Sequence, residues 1–120
     1  MNKHYFDSEK APVRILTISS LFNEWDNRHL LTEFQQYLNE GFQQFIIDLT
    51  NLPIINSVGI NFLLRLLKRV QQVGGQLFLA NASVQVTHLL NITKLTAIFS
   101  IEDSVDAALE VIQEENCLIN

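Results

Sequence analysis

Two short apolar runs, Phe45-Ile46-Ile47 and Leu77-Phe78-Leu79, constrain this chain most, because a long helical pattern separates them. Each run is short and β-rich enough to read as a strand buried on both faces. From about Val58 to Gln72 the residues Ile60, Phe62, Leu63, Leu64, Leu66, Leu67 and Val70 keep a helical period. Two buried strands joined through a helix predict a parallel pair with a right-handed crossover. The helix is apolar over much of its girth. It therefore needs cover on more than one side, from its own sheet and with room left for a partner or a second copy.

The flanking sequence extends the alternation. Residues 3 to 7 and 13 to 19 read as a hairpin whose turn is Ser8 to Pro12. Asp26 or Asn27 is placed to cap a helix carrying Leu30, Leu31, Phe34 and Leu38, with Gly41 as its stop. Residues 49 to 57 form a loop, and Gly74-Gly75 ends the long helix. Ser83 suits the cap of a short helix with Val84, Val86, Leu89 and Leu90, and a last short strand falls near Ile98-Phe99. Asp103 or Ser104 caps a final helix with Val105, Ala108, Leu109 and Ile112 on one face. The predicted architecture is α/β: a mixed, mostly parallel sheet of four to five strands with about four helices. A chain of 120 residues suits one domain, 1–120, with its core over about 13–112.

Composition excludes several classes. No apolar run reaches the ~18 residues that span a bilayer, and the start Met1-Asn2-Lys3-His4-Tyr5-Phe6-Asp7 lacks the pattern of a signal peptide. The single cysteine, Cys117, rules out an internal disulfide. The expectation is a cytoplasmic protein with no membrane partner. Residues 1 to 48 carry net −3, residues 49 to 101 net +4 with no acid at all, and residues 102 to 120 net −6. An overall charge of −5 argues against nucleic acid as a partner.

Most chemical motifs are missing. His4, His29 and His88 are scattered without ligand spacing, so no metal and no cofactor is expected. Cys117 lies almost at the end of the chain, and neither GxGxxG nor GxxxxGK[ST] occurs. Asn81-Ala82-Ser83 and Asn91-Ile92-Thr93 match the glycosylation sequon by chance. Glu24, Asp26 and Asp48 could gather at the carboxyl ends of the strands, but the sequence supplies few polar groups to complete a catalytic pocket. Catalysis is not expected. Ser57 is the sharper candidate. It stands between the loop and the long helix, where a serine serves as N-cap. The same place suits a phosphate, because a helix N-terminus favours negative charge and offers N–H donors.

The stretch Phe45-Ile46-Ile47-Asp48-Leu49, a loop, then Asn56-Ser57-Val58-Gly59 resembles the central segment of STAS domains, the fold of bacterial anti-sigma factor antagonists. In that family a hydrophobic strand ends in Asp-Leu, and Asp-Ser-Ser/Thr-Gly opens a helix. The likeness continues through Leu63 to Arg69, the turn Val73-Gly74-Gly75, the step Thr93-Lys94-Leu95 and the opening Asp103-Ser104-Val105 of the last helix. It covers residues 13 to about 112. The resemblance implies a regulatory binding module with Ser57 as its phosphorylation site. It further implies two partners, a serine protein kinase that is itself the anti-sigma factor, and a metal-dependent serine phosphatase.

The departures are specific. Asn56 replaces the usual Asp, Val58 the second Ser or Thr, and Lys94 the Gly of the Thr/Ser-Gly-Leu step. Ser20 to Asp26 lacks the common Gly-Glu-Leu-Asp pattern. The expected partner surface comprises Asn56, Ser57, Val58, Gly59, Arg65, Lys68 and Arg69, with Trp25 as a further anchor where exposed and otherwise a residue packed over the core edge. An alternative is a STAS scaffold subunit of a signalling complex or a lipid transporter, working without phosphorylation. The expected state is a monomer or weak dimer.

Overall fold

A computed structural model of the protein describes residues 2–5, 13–19 and 24–119. Its elements are β1 (Asn2–Tyr5), β2 (Val13–Thr17), α1 (Glu24–Asn39), β3 (Gln44–Asp48), α2 (Ser57–Gln72), β4 (Gln76–Ala80), α3 (Val84–Ile92), a 3₁₀ turn (Leu95–Ala97), β5 (Ser100–Glu102) and α4 (Val105–Ile119). The strands lie in the order β1-β2-β3-β4-β5. β1 is antiparallel to β2, and β2 to β5 run parallel. The mixed sheet with four α-helices matches the expected architecture. The turn expected over Ser8 to Pro12 lies outside the described residues.

Strand order explains how the layers fill. Each parallel connection steps to the next strand in the same direction, so right-handed crossovers place α1, α2 and α3 on one face. That face packs Leu16, Phe45, Ile47, Leu77 and Leu79 against Phe34, Phe62, Leu63, Leu66, Val86 and Leu90. The alternate strand residues Val13, Ile15, Ile46, Phe78 and Ala80 point the other way. There α4 covers them with Ala108 and Ile112. The final helix is thus what buries the second face.

The ends of α2 show why it stops where it does. Gly74 has φ 74, a left-handed conformation that glycine adopts without penalty. The Gly75 N–H donates to Val70 O at 2.9 Å and the Gly74 N–H to Gln71 O at 3.1 Å, closing the last turn. Gly75 is required for another reason: a Cβ there would stand 2.2 Å from the carbonyl oxygen of Gln43. The bare backbone lets Gln76 N–H reach Gln43 O at 2.8 Å and start β4 beside β3.

Two boundaries differ from the sequence reading, and a third is narrowed to one of its two candidates. α1 begins at Glu24, so Asn27 lies within the helix, 3% exposed, and neither Asp26 nor Asn27 caps it. Two acids in that first turn, Glu24 and Asp26, suit the positive end of the helix dipole. The last strand falls at Ser100–Glu102 instead of Ile98-Phe99. Lys94 turns left-handed at φ 63, and the 3₁₀ turn that follows consumes Leu95 to Ala97. Phe99 then drops into the core while Ile98 stays half exposed. Of the two candidate caps for α4, Ser104 is the one bonded, its Oγ accepting from Ala107 N–H at 3.0 Å.

Candidate functional site

The carboxyl ends of the strands are level, with Thr17, Asp48, Ala80 and Glu102 in register. The loop from Leu49 to Asn56 leaves this edge and is held at several points. Asp48 Oδ1 accepts from Thr50 N–H at 3.0 Å, Thr50 Oγ1 at 2.6 Å and Asn81 Nδ2 at 3.0 Å. Asn81 itself is left-handed, φ 59, which asparagine tolerates. Asp48 therefore fastens the loop to the turn after β4. The side chains of Glu24 and Asp26 lie outside the described residues.

The far end of the loop is pinned to α3. Ser83 Oγ donates to Pro53 O at 2.7 Å and accepts from Val86 N–H at 3.1 Å, so the predicted cap of α3 also holds the loop. Ile55 N–H donates to Gln85 Oε1 at 3.2 Å. These bonds bracket Ile54 and Val84, which are 53% and 87% exposed. Leu52 and Ile55 anchor the same loop in the core. Two large apolar side chains are thus presented, Ile54 on a loop fixed from below and Val84 at the start of α3.

Ser57 is not the cap of α2. Asn56 is, with extended backbone and Oδ1 accepting from Gly59 N–H at 3.0 Å. Ile60 N–H bonds the Asn56 carbonyl at 3.0 Å. Asparagine caps a helix as well as aspartate does. The replacement thus keeps the local fold and removes one negative charge. Ser57 is the first helical residue and is exposed, and its hydroxyl makes no hydrogen bond among the described residues. No acid stands in the first turn. Val58 is half-buried and Gly59 buried beneath it.

The basic residues divide. Arg65 and Lys68 are exposed and line a groove with Asn61, Leu64, Leu67, Gln71 and Ile98, between α2 and the 3₁₀ turn. Arg69 turns instead toward α1, where Nη1 donates to Gln35 Oε1. At 1.5 Å per residue, Arg65 stands about 12 Å along the helix from Ser57. It is therefore too far to pair directly with a group on Ser57. Trp25 belongs to α1, in the part whose side chains lie outside the described residues. The sequence pattern gives no sign of the groove wall formed by Ile98, which follows the left-handed Lys94 and the 3₁₀ turn and stays half exposed.

Elsewhere, a cavity of about 130 Å³ lies among Leu16, Ile18, Leu30, Phe34, Phe62 and Leu66, with Thr17 and Glu33 as its polar lining. Glu33 accepts from Tyr37 Oη at 2.7 Å, and Arg14 donates to the same hydroxyl at 2.7 Å while stacking on the Tyr37 ring. This network joins β2 to α1. Among the described residues no cluster of three or more His, Cys, Asp or Glu could hold a metal, and no helix is long and apolar enough to cross a membrane.

Comparison with known proteins adds a consistent result. The family model for the STAS domain matches residues 8–108. A candidate anti-sigma factor antagonist of Thermotoga neapolitana is 32% identical over 90 residues, covering 73% of this chain and 80% of that protein. The crystal structure of a candidate anti-sigma factor antagonist from Thermotoga maritima superposes with a TM-score of 0.71 at 24% identity, covering 92% of this chain and 93% of that one. The anti-sigma factor antagonist SpoIIAA, solved in its unphosphorylated form, gives 0.71 at 12% identity over 95% and 97% of the two chains. The two structures share the fold.

Proposed function

The chain belongs to the STAS domain family, and from that premise we propose that it is a regulatory binding module of the anti-sigma factor antagonist kind, switched by a phosphate on Ser57. The observation that carries this reading is the division of labour at the start of α2. Asn56 performs the capping, so the Ser57 hydroxyl is exposed and unengaged at a helix N-terminus. A kinase can reach that hydroxyl without breaking a bond that the fold uses. The phosphate adds roughly −1.5 to −2 charges. At the first turn of a helix that charge is favourable, and no acid within that turn repels it. Modification therefore alters the surface and leaves the fold in place.

The surface it alters is suited to a protein partner. Ile54 and Val84 flank the site as exposed apolar contacts, and Arg65 and Lys68 lie further along the same helix. The partner in this reading is a serine kinase acting as anti-sigma factor, which binds the unmodified form. A metal-dependent serine phosphatase restores that form.

Isothermal titration calorimetry of such a kinase against wild type and Ser57→Asp tests the switch. The expected result is at least tenfold weaker binding of Ser57→Asp with unchanged thermal stability. Equal affinity of the two proteins would refute it and leave the scaffold reading.

A further inference from the structure

The groove between α2 and the 3₁₀ turn has a complement elsewhere in the same chain. Its walls are Leu64, Leu67 and Ile98, and its rim carries Arg65 and Lys68 with Asn61 and Gln71. Ile98 is 50% exposed, a large apolar side chain that half faces solvent. The rim belongs to the stretch from residue 49 to 101, which contains four bases and no acid. On α4 the reverse holds: residues 102 to 120 carry six acids and no base. Asp103, Asp106, Glu110 and Glu114 are all exposed and follow one another at intervals of three and four. Asp106, Glu110 and Glu114 form a single acidic stripe on the side of α4 opposite to Ala108 and Ile112, which are seated on the sheet, and Asp103 stands just ahead of its first turn.

The two surfaces cannot meet within one molecule. α2 and α4 cover opposite faces of the sheet. Between two molecules they are similar in length. Asn61 to Gln71 spans about 15 Å of helix, and Asp106 to Glu114 about 12 Å, with Asp103 just ahead of the helix. Half-buried Ala107 and Leu109 flank the acidic stripe and offer apolar atoms to Leu64 and Ile98.

We propose that the acidic face of α4 of one molecule docks into the Arg65–Lys68 groove of a second copy. The contact joins different surfaces of the two molecules, so it leaves each with one half still unpaired. It builds head-to-tail chains instead of closed two-fold dimers. The association is weak and electrostatic, because exposed ion pairs contribute little individually and salt screens them. It is independent of Ser57, which stands about 12 Å away along α2.

Sedimentation velocity of the full chain, across a concentration series at about 50 mM and about 500 mM salt, tests this. Expected is a weight-average mass that rises with concentration at low salt and returns to the monomer at high salt. Arg65→Glu/Lys68→Glu and Asp106→Lys/Glu110→Lys should each weaken association by about tenfold or more. Mixing the two double variants should restore it, because each then offers what the other lacks. All four positions are exposed, so both variants should fold, which circular dichroism checks. A monomer under every condition would overturn the proposal. So would association that neither double variant reduces, or reduced association that mixing fails to restore.

Discussion

Replacing Asn56 and Ser57 in turn should separate cap from switch. Asn56 Oδ1 holds the Gly59 N–H at 3.0 Å, one of the unpaired donors of the first turn of α2. Asn56→Ala removes that bond, and losing an N-cap costs about 1 kcal/mol. Ser57→Ala removes a hydroxyl that bonds nothing among the described residues, at a position where alanine is a good helix former. Its cost should lie within about 0.5 kcal/mol of zero. At about 2.1 cal/mol/K per residue, the unfolding entropy of a 120-residue chain is about 250 cal/mol/K, so 1 kcal/mol corresponds to about 4 °C in Tm. Differential scanning calorimetry resolves that difference, and urea titration with an unchanged slope confirms that native-state stability moved. Asn56→Ala should melt about 4 °C lower, and Ser57→Ala within about 2 °C of wild type. If Ser57→Ala lowered Tm as much as Asn56→Ala, serine would be the cap. A kinase would then have to break a bond that the fold uses, and the division of labour between Asn56 and Ser57 would be refuted.

Other perturbations test the frame around the site. Lys94→Gly should stabilise by about 0.5 to 1 kcal/mol in urea titration, because a lysine at φ 63 carries a penalty that glycine does not. Gly75→Ala should destabilise by about 2 kcal/mol or more, since its Cβ would meet the Gln43 carbonyl oxygen at 2.2 Å and backbone must move. Tyr37 should titrate above its ordinary value near 10, pushed up by burial and then by its hydrogen bond to Glu33, with Arg14 opposing. Its contribution to stability is complete below that value and is lost as pH rises through the raised pKa. Chemical denaturation should therefore show an alkaline decline that Tyr37→Phe diminishes, and an unaltered decline would discount the burial argument.

How much of this was readable beforehand depended on the kind of signal. Runs such as Phe45-Ile46-Ile47 and the Gly74-Gly75 pair are dictated by local chemistry, and both stand where expected. Ser83 caps α3 as expected, yet its second bond, to Pro53, joins segments 30 residues apart and has no local signature. Asn56 and Ser57 are adjacent and both good caps, and the sequence pattern placed the cap on Ser57, one residue past the observed one. Lys94 hid its left-handed backbone, because lysine carries no hint of positive φ. That single angle shifts β5 by two residues and exposes Ile98. The α2 groove was therefore illegible, although the charges on its rim were plain. The separation of Arg69 from Arg65 and Lys68 likewise depends on α1 packing alongside.

The central claim is that Ser57 is a regulated phosphorylation site on a fold that does not need its hydroxyl. Phosphopeptide mass spectrometry of the protein purified from its native cells, before and after stress or nutrient shift, tests it most directly. The expected result is a phosphate on Ser57 whose occupancy changes with condition. Ser57 unmodified in every condition would contradict it.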